Sequence, residues 1–326
     1  MIKNPPPWPD GARCAVVFSF DVDADSVVHA THADRAIDMP HALAHMRYDP
    51  LIAVPRLLDL FGDAGVPVTW FVPGWVIQAY PDQVAALPGP GGEVAHHGHF
   101  HQWPSKQTRA AERQTLERGS HAIERLTGRR PVGYRAPYYG LSRHTFDLLA
   151  EAGFAYDSSL FADDVPIVLE TRHGPLLELP VPASVDDYNQ YVSGRAFDYL
   201  MKISAPQRAL EVFQAEFDAL WEFGGLWVSV WHPAVSGRPA QALAIRDLVR
   251  HMQQKGGVWF TTGAEVAAWI EQLRAAGGWA PRIERVPFYR TPVVRPTRTA
   301  VAPRRAGALG RRGRPGPPSA PRRRGR

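Results

Sequence analysis

The feature that most constrains the fold is a regular alternation of short apolar runs with longer amphipathic segments. The apolar runs are rich in β-branched and aromatic residues, which is typical of strands. They are ARCAVVFSF (12–20), VPVTWFV (66–72), GEVAH (92–96), VGYRA (132–136), FAYDSS (154–159), LLELPV (176–181), GLWVSVWH (225–232) and GGVWFTT (256–262). The segments with helical periodicity end at glycines and span 49–65, 108–128, 141–153, 207–225 and 238–257. Strand–helix alternation favours parallel strands joined by crossover helices, and this many units predict an α/β barrel.

Composition divides the chain at residue 285. Residues 285–326 contain 13 arginines and no acidic residue, so the formal net charge of +5 leaves −8 for residues 1–284. The last 42 residues are dominated by Arg, Pro, Gly and Ala and cannot bury enough apolar surface to offset the entropy of ordering. We therefore predict one catalytic domain over 1–284 and a disordered tail over 285–326. Any contact with nucleic acid would be made by the tail alone.

Several features indicate a cytoplasmic protein without a membrane partner. No apolar run approaches the roughly 18 residues that span a bilayer, and the N-terminus lacks the apolar region of a secretory signal. Cys14 is the single cysteine, which excludes intrachain disulfides and thiolate metal clusters.

Polar side chains that can carry chemistry follow the apolar runs, where an α/β barrel collects its catalytic groups. They are Asp21, Asp23, His97, His101, Arg135, Asp186, Asp187 and His232. Asp21 and Asp23 share one face of an extended segment, and two converging carboxylates need a cation beside them.

His97 and His101, together with one of those carboxylates, form a three-ligand set typical of catalytic zinc. Gly98 stands where the helical motif of zinc proteases has Glu, so that class is excluded. Two histidines and one carboxylate also bind iron in oxygenases, but those proteins are built from many short strands without long helices.

Four segments carry a resemblance to a known family. FSFDVDAD, EVAHHGHFHQWPS, GYRAPYYGLS and WVSVWHP have the order and context of the motifs of the polysaccharide deacetylases, also called the NodB homology domain or carbohydrate esterase family 4. The chain resembles this family over residues 8–275, and most resembles its branch of peptidoglycan-deacetylase-like proteins, cyclic imide hydrolases and metal-free allantoinases.

The resemblance implies a distorted (β/α)7–8 barrel and a role for each matching residue. Asp21 would be the general base, Arg135 would orient it, and His232 would be the general acid. Asp23, His97 and His101 would bind a divalent metal, with zinc expected and cobalt, nickel, manganese and iron as alternatives. We expect the substrate to contact Pro137, Tyr138, Trp103 and Trp231, Trp103 being larger than the usual family residue. The fourth motif is approximate and leaves Asp186 and Asp187 as alternatives.

The expected activity is hydrolysis of carbon–nitrogen bonds other than peptide bonds, in an N-acyl sugar or in a small amide or cyclic imide. The retained metal ligands argue against a metal-free allantoinase. A non-enzymatic binder that acts through the Arg-rich tail is the alternative from another class. We also expect a homo-oligomer, a polar loop or cap over residues 26–50, and roles for His96 and His99 in packing or in supporting the metal ligands.

Overall fold

The computed structural model describes residues 1–89, 91–192, 205–289, 291 and 293. Met1–Phe288 forms one compact unit, and Tyr289–Arg326 is assigned to a second one. Most of the predicted tail lies outside the described residues, so its disorder and the boundary at residue 284 stay predictions.

The described residues contain ten strands, and each predicted apolar run overlaps one of them. They are β1 (Cys14–Asp21), β2 (Val68–Val72), β3 (Glu93–His96), β4 (Gly133–Tyr134), β5 (Tyr156–Asp157), β6 (Ile167–Thr171), β7 (Gly174–Glu178), β8 (Leu226–Val228), β9 (Val258–Phe260) and β10 (Ile283–Arg285).

The strands form one sheet in the order β10-β6-β7-β5-β4-β3-β2-β1-β8, with β9 also pairing with β1. All pairs are parallel except the β6–β7 hairpin. The sheet curls into an incompletely closed barrel, which confirms the predicted mixed α/β barrel. The ends of β1, β3 and β4 meet at one edge because these strands are parallel.

Twelve α-helices lie within the described residues and connect the strands. They are α1 (Ser26–Thr31), α2 (Pro40–Tyr48), α3 (Val54–Ala64), α4 (Gly74–Ala79), α5 (Pro81–Val84), α6 (Arg109–Thr127), α7 (Thr145–Ala152), α8 (Asp187–Tyr191), α9 (Pro206–Phe223), α10 (Pro233–Ser236), α11 (Pro239–Lys255) and α12 (Gly263–Ala275). A π-helical turn, Asp49–Ala53, joins α2 to α3. No helix in this part of the chain has the length and hydropathy of a membrane span.

Aromatic residues fill the space between β1, β8 and the helices. The ring of Phe18 lies 5.0 Å from Phe61 and 5.3 Å from Trp227, and Phe20 stacks on Trp70 at 5.1 Å. Every residue of β1 is buried, as its unbroken apolar run predicts for a strand covered on both faces.

Two expectations about local structure are corrected. Residues 26–50 contain helices α1 and α2 rather than a loop, and Val28 and Met46 bury their side chains in a small apolar cluster with Ala234. Helix α7 begins at Thr145, four residues after the start of the predicted segment 141–153, and Ser142 forms a turn in which its Oγ accepts the N–H of His144.

Candidate active site

Asp21 ends β1 and is paired with a fully buried arginine. Arg135, which follows β4, donates from Nη1 to Asp21 Oδ1 at 2.8 Å and to Ser19 Oγ at 2.9 Å. The rest of its guanidinium donates to the carbonyl and hydroxyl oxygens of Ser158 and lies 4.0 Å from the centre of the Phe71 ring. The side chains of Arg135 and Asp21 are 0% and 4% exposed, so this ion pair is shielded from water. Arg135 therefore fixes the orientation of the Asp21 carboxylate.

Asp23, His97 and His101 converge as predicted, with one potential ligand atom from each within 4.8 Å of the others. Asp23 Oδ1 lies 3.4 Å from His97 Nε2 and 3.2 Å from His101 Nε2. Burial alone would raise the pKa of Asp23, but the two imidazoles outweigh it and lower the pKa to about 2. Burial lowers the pKa of His101 to about 4. Burial would lower the pKa of His97 as well, but the carboxylates of Asp21 and Asp23 raise it. Asp23 is therefore an ionised carboxylate that lies between two imidazoles.

The hydrogen bonds of this set leave lone pairs facing one another. His97 Nδ1 donates to the carbonyl oxygen of Arg135 at 2.8 Å, because a carbonyl can only accept. When the His97 ring is in its neutral form, its Nε2 therefore carries a lone pair that faces Asp23. Asp23 Oδ1 is buried and has no hydrogen-bond partner within the described residues. Facing lone pairs in a buried site are what a divalent cation stabilises, so these residues fit the metal that the sequence implies.

His232 lies on the other side of Asp23 and belongs to a second hydrogen-bonded pair. Its Nδ1 donates to Asp187 Oδ1 at 2.7 Å, and Asp187 Oδ2 accepts from the backbone N–H of His232 and from Ser236 Oγ. Burial would lower the pKa of His232, but the Asp187 charge and hydrogen bond raise it well above the usual range. Among the described residues His232 Nε2 makes no hydrogen bond, and it lies 3.9 Å from Asp23 Oδ2.

The two residues that the sequence left as alternatives have different contacts. Asp187 contacts His232, whereas Asp186 caps helix α8 through the Tyr188 N–H and accepts from the Tyr139 hydroxyl at 2.7 Å. Asp186, Asp187 and His232 also lie within 4.8 Å of one another. All four carboxylate oxygens of Asp186 and Asp187 already accept hydrogen bonds, whereas Asp23 Oδ1 does not. This second group therefore lacks the unpartnered oxygen atom that a metal ion would bind.

An aromatic wall stands beside the metal-ligand candidates. Trp103 stacks on Tyr138 with ring centres 4.4 Å apart and 37% of Trp103 exposed. The edge of Tyr138 packs on His101 at 4.4 Å, and its hydroxyl hydrogen-bonds to Thr31 of α1. Pro137, the residue before Tyr138, is buried.

The position of Trp231 is contrary to the sequence expectation. None of its surface is exposed, and it packs in the core against Phe18 and Phe20. Side chains alternate along an extended segment, so the neighbour of His232 must point away from the site.

His96 makes two hydrogen bonds that support the turn carrying the metal-ligand candidates. Its Nδ1 accepts the N–H of Gly98, and its Nε2 donates to the carbonyl of Leu116. It therefore fixes the turn between His97 and His101. His99 is buried, and within the described residues neither of its ring nitrogens has a partner.

Proteins of similar sequence are described as polysaccharide or peptidoglycan deacetylases. The sequence profile described as polysaccharide deacetylase matches residues 48–156. A peptidoglycan deacetylase of Helicobacter pylori is 27% identical over 280 residues, covering 77% of this chain and 95% of that protein.

Solved structures extend the match to nearly the whole chain. A Mycobacterium smegmatis protein assigned as a polysaccharide deacetylase is 38% identical, with a TM-score of 0.79 over 91% of this chain and 99% of that one. The Puue allantoinase has a TM-score of 0.73 at 23% identity over 85% of this chain and 96% of its own, a likeness of fold alone.

Proposed function

The chain belongs to the polysaccharide deacetylase family, a family of hydrolases, and on this basis we propose that it hydrolyses non-peptide carbon–nitrogen bonds with a bound divalent metal. The observation that carries the proposal is the buried set of Asp23, His97 and His101, whose unpartnered Asp23 Oδ1 faces two imidazole nitrogens. A carboxylate held by arginine lies on one side of this set, and an imidazole held by aspartate lies on the other.

Asp23 Oδ1, His97 Nε2 and His101 Nε2 would hold the metal. When bound, the ion supplies Lewis acidity, which makes an amide carbonyl carbon more electrophilic and lowers the pKa of water. Zinc suits two imidazoles and one carboxylate, and cobalt, nickel, manganese and iron have related preferences.

Asp21 is the proposed general base. Arg135 holds its Oδ1, so Oδ2, which lies 3.7 Å from His97 Nε2, is the oxygen directed toward the metal-ligand set. It would accept a proton from water as the water oxygen forms a bond to the carbonyl carbon. The oxyanion that results needs a donor, and the Tyr138 backbone N–H has no acceptor among the described residues, whereas those of Tyr139 and Gly140 do.

His232 is the proposed general acid. Its Nδ1 proton is held by Asp187, so the protonated ring can release its Nε2 proton to the departing nitrogen as the carbon–nitrogen bond breaks. The products are a carboxylic acid and an amine, or both groups in one molecule if the substrate is cyclic. Asp187 acts through His232 and is a positioning residue.

Burial of the site favours a small substrate over a polymer. The side chains of Asp21, Asp23, His97 and His101 are at most 5% exposed, and that of His232 is 11% exposed. Helices α1 and α2 pack beside Tyr138 in the same apolar cluster. We therefore propose a small amide or cyclic imide, with an N-acyl sugar as the second candidate because relatives are described as polysaccharide and peptidoglycan deacetylases.

The other classes have less support. The complete donor set does not favour a metal-free allantoinase-like reaction, and the long helices joining parallel strands differ from the fold expected of an iron oxygenase. A non-enzymatic role of the tail concerns residues outside the described ranges.

Metal analysis of purified variants, followed by a substrate screen, tests the proposal. Asp23→Ala and His97→Ala should lose bound metal and activity together. Asp21→Asn should keep the metal and lose at least about 100-fold in kcat, the usual contribution of a general base. The screen compares acetylated sugars with hydantoins and cyclic imides.

His121→Ala is the matched control. His121 is exposed on α6, so this variant should retain both bound metal and activity. Full turnover by Asp21→Asn would disprove the assigned base. Full activity of Asp23→Ala without metal would disprove the metal-dependent reaction.

A further inference from the structure

Asp49 is a buried carboxylate that the proposed mechanism does not use. It is the first residue of the π-helical turn Asp49–Ala53 and has no exposed surface. Its Oδ2 accepts the backbone N–H of Ala24 at 2.8 Å, and its Oδ1 has no hydrogen-bond partner among the described residues. Asp49 thus connects the cap segment to the residue that directly follows Asp23.

Ala24 has a backbone conformation that needs support. Its φ of +46° lies in the left-handed region, which residues with a Cβ adopt at a cost. Ala24 is also fully buried, so its N–H must have a partner inside the protein. The Asp49 carboxylate is that partner.

The peptide between Asp23 and Ala24 is held from both sides. Its N–H donates to Asp49, and its carbonyl oxygen, that of Asp23, accepts from Ser26 Oγ at 2.6 Å. The same carbonyl oxygen also accepts the N–H of Ser26 at 3.3 Å. Displacement of this peptide would move the Cα of Asp23, and with it the carboxylate, relative to His97 and His101. The position of one potential metal ligand therefore depends on the hydrogen bonds that hold both ends of this peptide.

The turn that carries Asp49 is itself packed tightly against the segment after His232. Arg56 Nη1 donates to the Gly237 carbonyl at 2.5 Å, and a Cβ at Gly237 would lie 2.4 Å from Ala53 Cβ. π-Helical turns of this kind occur frequently at functional sites. The Asp49 carboxylate thus belongs to a closely packed turn.

We propose that Asp49 is a positioning residue, which holds the Asp23–Ala24 peptide in the orientation that makes Asp23 a metal ligand. This inference rests on the proposed metal site and adds to it a residue from outside the recurring motifs. A residue that only stabilised the cap would affect folding without changing the affinity for metal.

The test measures Zn²⁺ affinity of the full chain by competition with a chelator, alongside the melting temperature of the metal-free protein. Asp49→Ala should weaken Zn²⁺ binding at least ten-fold. Asp49→Asn retains an acceptor oxygen and should stay within about three-fold of wild type. Adding Ala24→Gly to Asp49→Ala should recover part of the lost affinity, because glycine adopts positive φ without strain.

Asp147→Ala is the matched control. Asp147 is another buried carboxylate that accepts a backbone N–H, that of Arg172, but it lies on α7 beside β6 and β7, far along the sheet from β1. This variant should lower the melting temperature and leave Zn²⁺ affinity unchanged. If Asp49→Ala is insoluble, Asp49→Ser, too short to reach the Ala24 N–H, replaces it.

Wild-type affinity in Asp49→Ala, or equal losses in Asp49→Ala and Asp49→Asn, would overturn the inference. If Asp23→Ala loses metal while Asp49→Ala does not, only the positioning role fails. If wild type itself binds no Zn²⁺, the proposed metal site and the positioning role fail together.

Discussion

At the scale of single residues, backbone strain is concentrated where side chains are aimed at the site. The non-glycine residues with positive φ are Asp10, Ala24, His101, Tyr138 and Tyr139 among the described residues. Four of these five lie in the segments that carry the metal-ligand candidates and the aromatic wall. Such conformations cost of order 1 kcal/mol or more each and persist only where surrounding contacts hold them.

A second residue-scale feature is a pair of buried carboxyl groups under Arg135. Asp157 of β5 and Glu178 of β7 are register partners, and both accept the backbone N–H of Ser159. Burial raises the pKa of Glu178 well above its usual range, and the adjacent Asp157 raises it further. Native Glu178 therefore keeps its proton at pH values where the unfolded chain has released it.

We predict that Glu178→Gln flattens the pH dependence of stability. In wild type, unfolding releases the Glu178 proton above about pH 4.3, so the free energy of unfolding should fall as pH rises, by up to about 1.4 kcal/mol per pH unit. Glutamine has no proton to release and keeps an oxygen for the N–H groups of Ser159 and Leu160. Urea unfolding between pH 5 and pH 8 measures both slopes.

Glu117→Gln, an exposed position on α6, should leave the wild-type slope unchanged. If the free energy of unfolding falls with pH equally in wild type and in Glu178→Gln, then Glu178 does not hold a proton that the unfolded chain releases.

At the scale of elements, the turn between His97 and His101 depends on close packing of α4 and α6. Gly119 of α6 faces His96, and a Cβ there would lie 2.2 Å from His96 Nε2 and 2.8 Å from the Gly98 carbonyl oxygen. Gly74 of α4 in turn approaches the Cα of Gly119, where an added Cβ would lie 2.8 Å away. Both helices approach the metal-ligand turn because they lack side chains at these two positions.

Gly119→Ala is predicted to destabilise the fold and the turn together. Overpacking of this kind costs about 1–3 kcal/mol, and displacement of His96 removes the acceptor of the Gly98 N–H. Urea unfolding and Zn²⁺ competition should both show a loss.

Gly62→Ala is the control, since nothing lies within 4 Å of a Cβ at this helical position of α3. Alanine there should be neutral or stabilising by up to about 1 kcal/mol. If Gly119→Ala and Gly62→Ala have the same stability and the same Zn²⁺ affinity, then His96 moves aside without affecting either property.

The sequence predicts eight of the ten strands in the described residues, because each of these eight overlaps its own apolar run. It does not predict β6 and β10, since β6 forms a hairpin with β7 through a short turn and β10 has a single apolar residue. Helices α1 and α2 are missed because they have only six and nine residues and are interrupted by histidines.

The candidate site likewise contains residues that the sequence predicts and residues that it does not. Asp21, Asp23, His97, His101, Arg135 and His232 follow strand-like runs, so parallel strand ends predict that they converge. The choice between Asp186 and Asp187 depends on a shift of one residue, which the backbone bond from Asp187 to Val230 determines. Asp49 cannot be found from motifs because its function depends on the backbone of Ala24, which is distant in sequence.

At the scale of the whole molecule, the sheet order separates the site from the C-terminal strand. The site residues follow β1, β3, β4 and β8, whereas β10 pairs with β6 at the opposite end of the sheet. Local damage at β10 should therefore lower stability without changing the metal-ligand set.

Two truncations test this separation and the role of the tail. Removal of residues 289–326 leaves Met1–Phe288 complete, so the melting temperature and Zn²⁺ affinity should match wild type. Removal of residues 282–326 deletes β10 and the bond from the Val286 N–H to Glu170, and it should lower the melting temperature by at least about 2–4 °C, the shift for about 1 kcal/mol in a chain of this size. Zn²⁺ affinity should stay unchanged in both. Loss of metal binding or hydrolysis in the shorter deletion would show that the Arg-rich tail takes part in function, because that deletion leaves every strand of the sheet in place.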